Sequence, residues 1–136
     1  MKFNLIPPAI IRIRKDKGGY ALARGPYITL PADTTPHQLP HELTHVNQWW
    51  MLTVICAAVL YVAQMYVPSV PMEAMGLSVG VHGGLYAGSK LYRFWAETQA
   101  YRMSLSVSPE REEDFAKMLN GYDTGRTLEE CKQALL

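Results

Sequence analysis

The spacing of apolar and polar positions changes twice along this 136-residue chain. Ala9-Ile10-Ile11-Arg12-Ile13-Arg14-Lys15 ends in partial apolar/charged alternation, and Asp16-Lys17-Gly18-Gly19 follows as a turn signal. Tyr20-Ala21-Leu22-Ala23 and Tyr27-Ile28-Thr29-Leu30 continue the pattern on either side of Gly25-Pro26. These segments predict a small antiparallel β-sheet within residues 1–35, with Arg12, Arg14 and Lys15 on its solvated side. Pro31 to Pro40 is a loop with three prolines, and Pro40 suits the first turn of a helix, where its missing N–H costs nothing. From His41 the helical pattern meets no breaker until Val67-Pro68-Ser69-Val70-Pro71, and a second helical segment follows from Met72 to Val107. Residues 38–107 therefore predict a long antiparallel helical hairpin.

Two short C-terminal helices are predicted over 108–136. Ser108-Pro109-Glu110 opens the first, which ends near Gly121, and Thr127-Leu128-Glu129-Glu130 is a capping box opening the second. The expected architecture is α+β in a single domain, 1–136. Gly76, Gly80, Gly84 and Gly88 recur at every fourth residue of the second limb, with Gly83 beside them. In water such a row weakens a helix by about 1 kcal/mol per glycine relative to alanine. It also offers a flat face that would pack against Ala57, Ala58 and Ala63 of the first helix.

Charge divides the chain. The net charge of +1 leaves no electrostatic footprint for nucleic acid, and none is expected as a partner. Between Val46 and Ser89 the only formally charged residue is Glu73. Trp49 to Val67 is a 19-residue run with only Thr53 and Gln64 clearly polar, long enough to cross a bilayer. Trp49 and Trp50, with Tyr92, Phe94 and Trp95, fall near one end of the hairpin, where a headgroup belt would lie, and Lys90 and Arg93 lie there too. The expectation is membrane contact through 49–89, with the positive end on the cytoplasmic side. Two other ways to bury the hairpin are the chain's own flanks and copies of itself in an oligomer or virion assembly. The opening Met1–Pro8 is too short an apolar run for a secretory signal peptide. Cys56 and Cys131 form neither a disulfide framework nor a C-x-x-C pair.

The chemistry concentrates in His41-Glu42-Leu43-Thr44-His45, the H-E-x-x-H pattern. On a helix, residues four apart stand on one face, so both imidazoles reach one metal ion, and Glu42 stands beside it as a general base toward a bound water. A zinc site needs a third protein ligand. His82, Glu73, Glu97 and the C-terminal acids are the candidates downstream. His41 and His45 lie 28 and 24 residues before Ser69, and Glu97 lies 27 after Val70. In a regular hairpin turning at Ser69-Val70, Glu97 returns to the level of the motif, whereas His82 stops about 20 Å short. His37, one turn before His41 but between Pro36 and Pro40, reads as a rim residue.

His-Glu-Leu-Thr-His-Val-Asn-Gln-Trp, followed by Ala96-Glu97-Thr98-Gln99-Ala100-Tyr101-Arg102, resembles the small gluzincin-type zinc metallopeptidases of bacteria and phages. The resemblance covers roughly half the chain. It implies His41, His45 and Glu97 as zinc ligands, Glu42 as general base, and a peptide or protein substrate. Tyr101, one turn after Glu97, is a candidate catalytic residue that would point its phenol at a developing oxyanion. Arg102 is a candidate partner for a substrate carboxylate or for a surface ion pair, and Gln48 and Asn47 would steady the histidine rings. Two functions compete: a zinc peptidase working near a membrane surface, and a structural or assembly protein whose metal only staples the hairpin.

Overall fold

A computed structural model describes residues 8–69 and 71–136. The opening segment Met1–Ile6 with Pro7, and Val70 of the expected turn, lie outside the described residues. The chain is α+β. Three strands, β1 (Ile10–Ile13), β2 (Leu22–Arg24) and β3 (Tyr27–Leu30), precede a 29-residue helix, α1 (Gln38–Tyr66). A 3-10 helix over Met72–Gly80 leads into α2 (Val81–Gly88) and α3 (Lys90–Leu105). A 3-10 turn (Pro109–Arg111), α4 (Glu112–Asn120) and α5 (Leu128–Leu135) complete it.

The sheet is mixed, not antiparallel as its alternation predicts. Its order is β1-β3-β2, with β1 parallel and β2 antiparallel to β3. Gly25, at φ +58°, makes the tight β2–β3 reversal that only a residue tolerating the left-handed region accepts easily. Between β1 and β2 the turn signal does not close a hairpin. The Gly18 N–H donates to the Asp33 carboxylate at 3.0 Å, so the connection is pinned to the chain beyond β3 and β1 takes β3's outer edge. Ile28 and Leu30 point inward and pack with Val46 of α1, while Ile10, Ile11 and Ile13 are exposed along with Arg12.

The second limb is not one helix. Pro71 is extended, and the nine residues after it, which include Gly76 and Gly80, wind as a 3-10 helix. A 3-10 helix climbs about 2.0 Å per residue against about 1.5 Å in an α-helix. Val79 stands level with Trp49, whose indole donates to the Val79 carbonyl at 2.8 Å. Ser89, extended at φ −124° and ψ 109°, then breaks the chain between α2 and α3, and its hydroxyl accepts the Tyr92 N–H as the cap of α3. The glycine row does not pack on α1. A Cβ added at Gly76, Gly80, Gly83, Gly84 or Gly88 would meet no other atom within 4 Å.

Two separate apolar clusters result. One holds Ile28, Leu30 and Val46 between the sheet and α1; the other holds Tyr101, Phe115, Ala116, Leu119, Cys131 and Leu135 among α3, α4 and α5. Thr127 and Glu130 form the expected capping box at the start of α5. Ser108 makes no side-chain cap, and the chain enters α4 through the 3-10 turn instead. Beyond the first two turns of α1 burial nearly stops: in its most apolar 18-residue stretch only 11% of residues are buried. By length and composition α1 is able to cross a membrane.

Candidate metal centre

His41 and His45 stand one turn apart on α1, and α3 brings Glu97 against both. His41 Nε2 lies 3.4 Å from Glu97 Oε2, His45 Nε2 lies 3.4 Å from Glu97 Oε1, and the two Nε2 atoms are 3.3 Å apart. These separations test whether the three residues fit a metal. Four donors about 2.0–2.1 Å from an ion stand at the corners of a tetrahedron whose edges are about 3.3–3.4 Å. Each imidazole Nε2 stands at about that distance from the other and from one oxygen of the Glu97 carboxylate, a different oxygen for each ring. Glu97 is 1% exposed, and its Oε2 has no hydrogen-bond partner, an orphaned buried carboxylate oxygen of the kind a cation satisfies. The His41, His45 and Glu97 group could therefore hold a metal ion.

The rings are held from behind. His45 Nδ1 lies 3.0 Å from Gln48 Oε1, and the same amide donates to the Ala96 carbonyl at 3.0 Å. His41 Nδ1 lies 3.4 Å from the fully buried hydroxyl of Ser104, which is also within reach of the His37 and Ala100 carbonyls. With each Nδ1 engaged as a donor, each Nε2 presents a lone pair to the centre. Asn47 takes no part: it is exposed, while Gln48 beside it is buried.

Burial pushes the Glu97 carboxyl upward, but the neighbouring His41 and His45 rings outweigh it and hold the group down at about 2. Burial also pushes Glu42 up, and the nearby charges of His41 and His45 oppose it only in part. Burial thus raises the proton affinity of Glu42, the direction in which a general base is tuned.

These residues line one side of a cleft of about 430 Å³. Its other walls are β2, from Ala21 to Gly25, and the second limb, from Val79 to Tyr86. Sequence reasoning missed the second limb's part. His82, expected halfway down the hairpin, has its ring 6.4 Å from that of His45 and its Nδ1 2.6 Å from the Tyr92 hydroxyl. The break at Ser89 lets α2 and α3 both border the centre, where one straight helix would hold His82 and Glu97 about 22 Å apart. The Tyr86 hydroxyl donates to Glu97 Oε1. Tyr122 also lines the cleft, and burial, with the Glu97 charge, pushes its phenol up to about 12, so it stays a donor.

Tyr101 does not reach the cleft wall. It is buried, its ring 4.5 Å from that of His41 and 5.4 Å from that of Phe115, so it backs His41 instead of facing a substrate. Arg102 meets neither a carboxylate nor the cleft; it donates to the Ala134 carbonyl at 2.9 Å and ties α3 to the end of α5. His37 lies outside the group of three, with its ring against Phe115 and its Nε2 2.8 Å from Arg111. Glu73 is exposed at the far end of the 3-10 helix. Comparison with protein-family models, with curated proteins and with solved structures finds no match.

Proposed function

We propose that this chain is a zinc-dependent peptidase that works at a membrane surface. The observation that carries the proposal is Glu42 in the cleft wall beside two imidazole nitrogens 3.3 Å apart, each 3.4 Å from an oxygen of the buried Glu97 carboxylate. Two imidazoles and one carboxylate suit zinc, and three protein ligands leave a position open. When bound, zinc would supply a Lewis acid and lower the pKa of water into the neutral range.

The chain's own residues account for the rest. Glu42 takes a proton from the attacking water and returns it to the leaving amine; the peptide C–N bond breaks and the water oxygen stays on the new carboxylate. β2 is an edge strand of the sheet and borders the cleft, so an extended peptide in the cleft would lie along a strand edge. Tyr122 stands on the cleft wall as a hydroxyl donor, the role first expected of Tyr101. The likeness of His41–Trp49 and Ala96–Arg102 to small gluzincin-type peptidases supports the same reading.

The membrane part rests on how α1 distributes its side chains. Beyond Trp50 the exposed positions are apolar, among them Val54, Ile55, Val59, Val62 and Met65, while Thr53 and Gln64 sit on the half-buried side. That is the reverse of a helix in water. From Trp49 to Tyr66 the helix is about 26 Å long, close to the thickness of a hydrocarbon core, with aromatic residues at both ends. The basic N-terminal region and Lys90 and Arg93 at the metal end support a cytoplasmic side for the centre.

Glu42→Gln decides between this function and a metal that only staples α1 to α3. The variant should keep its zinc and lose turnover on peptides by about 100-fold or more. Equal activity of the two proteins would discard the mechanism, and unchanged function of Glu42→Gln beside a destabilised His45→Ala would establish the staple.

A further inference from the structure

Trp49 belongs to two features at once. It opens the apolar run of α1, and it lines the cleft that holds the metal group. It is fixed in both settings. Its indole donates to the Val79 carbonyl, its ring lies 4.8 Å from that of Trp50, and its Cε2 stands 3.3 Å from the place a Cβ on Gly25 would occupy. Trp50 in turn donates to the Pro8 carbonyl at 2.9 Å, which brings the start of β1 to the same level.

The cleft is graded along α1. At the Trp49 end it is walled by Gly25, Val79 and Gly80, with Arg24 beside Gly25 as the one ionisable side chain there among the described residues. At the other end stand Glu42, His41, Glu97 and Tyr122. His45 is four residues from Trp49, about 6 Å along the helix. That equals about two residues of extended chain. A polypeptide entering from the apolar end would therefore have left the bilayer only a few residues before it meets the catalytic groups.

We infer that the substrate is itself anchored in the membrane, and that the bond cut lies in its juxtamembrane segment, within about five residues of the end of its span. This rests on the peptidase reading and adds to it the class of substrate. A chain of that kind presents apolar residues first, which the Trp49 end accepts, and polar backbone next, which would lie along β2. Peptides free in solution must bring both parts from water and gain nothing from sharing the bilayer.

The test uses the full chain in lipid vesicles with zinc and one mixed-sequence twelve-residue segment in three settings. In the first the segment follows directly on a single leucine-rich span. In the second a fifteen-residue Gly/Ser spacer separates segment and span. In the third the segment is free. Direct attachment should give cleavage at least about tenfold faster than the spacer version, which shares the same membrane and so the same effective concentration. The cuts should cluster in the first five residues. Equal rates with and without the spacer, or a faster free peptide, would overturn the inference while leaving the peptidase reading intact, provided Glu42→Gln abolishes the cleavage. No cleavage in any setting by zinc-loaded protein would remove the peptidase reading, and the inference with it.

Discussion

Gln48 holds His45 by its Nδ1 at 3.0 Å while donating to the Ala96 carbonyl, one residue before the third candidate ligand. One amide therefore sets a histidine ring on α1 and its height against α3. Gln48→Ala should lower zinc affinity by about 10–100-fold, the usual scale for losing a group that orients a ligand. Competition against a chromophoric chelator measures it; an unchanged affinity would show that packing alone orients the ring.

Glu97→Ala should reduce zinc binding far more, because two imidazoles leave the ion short of a ligand. Full retention of zinc, measured on the purified variant, would give the third position to another group, with His82 the first to try, since its ring already stands 6.4 Å from that of His45.

Much of this was legible in the sequence, though not always by the right route. Apolar/polar alternation at Ile28 and Leu30 gives the buried face of β3, but alternation says which side a residue faces and not which strand it pairs with. The parallel β1–β3 pairing depends on Asp33 seizing the Gly18 N–H, a contact fifteen residues away. Glu97 stands beside the two histidines, yet the regular hairpin that pointed to it does not exist. The count assumed one rise per residue throughout, and the 3-10 stretch and Ser89 changed both the rise and the direction. The same error placed His82 far from the centre. Ser104 follows Glu97 by seven residues, two helical turns on the same face, and was open to the reasoning that singled out Tyr101. Tyr122 carries no such signal, because tertiary packing of α4 on α3 delivers it.

Solubility offers a direct check on α1. Its exposed Val54, Val59, Val62 and Met65 form more apolar surface than a monomer in water usually shows. The protein should require detergent or lipid to stay monodisperse. A monomer in plain buffer by light scattering would remove the membrane reading, and a soluble large oligomer would favour burial by copies of the chain.

Gly84 lies inside α2 with open space where a Cβ would stand. Gly84→Ala should therefore stabilise the protein by about 0.5–1 kcal/mol, by lowering the entropy of the unfolded chain without any clash. Chemical denaturation in detergent reads this; a loss of stability would mean that a further molecule covers the glycine row.

The two apolar clusters share no buried residue, and the three donors stand where α1 meets α3 between them. An ion bound there would join halves that otherwise unfold on their own. Calorimetry of metal-stripped protein should show two broad transitions. Zinc should merge them into one sharper, later transition, because an ion that binds only the assembled site rewards both halves for folding together. The metal would then set the cooperativity of the whole molecule, and a chelator would act as a denaturant of its architecture as well as an inhibitor.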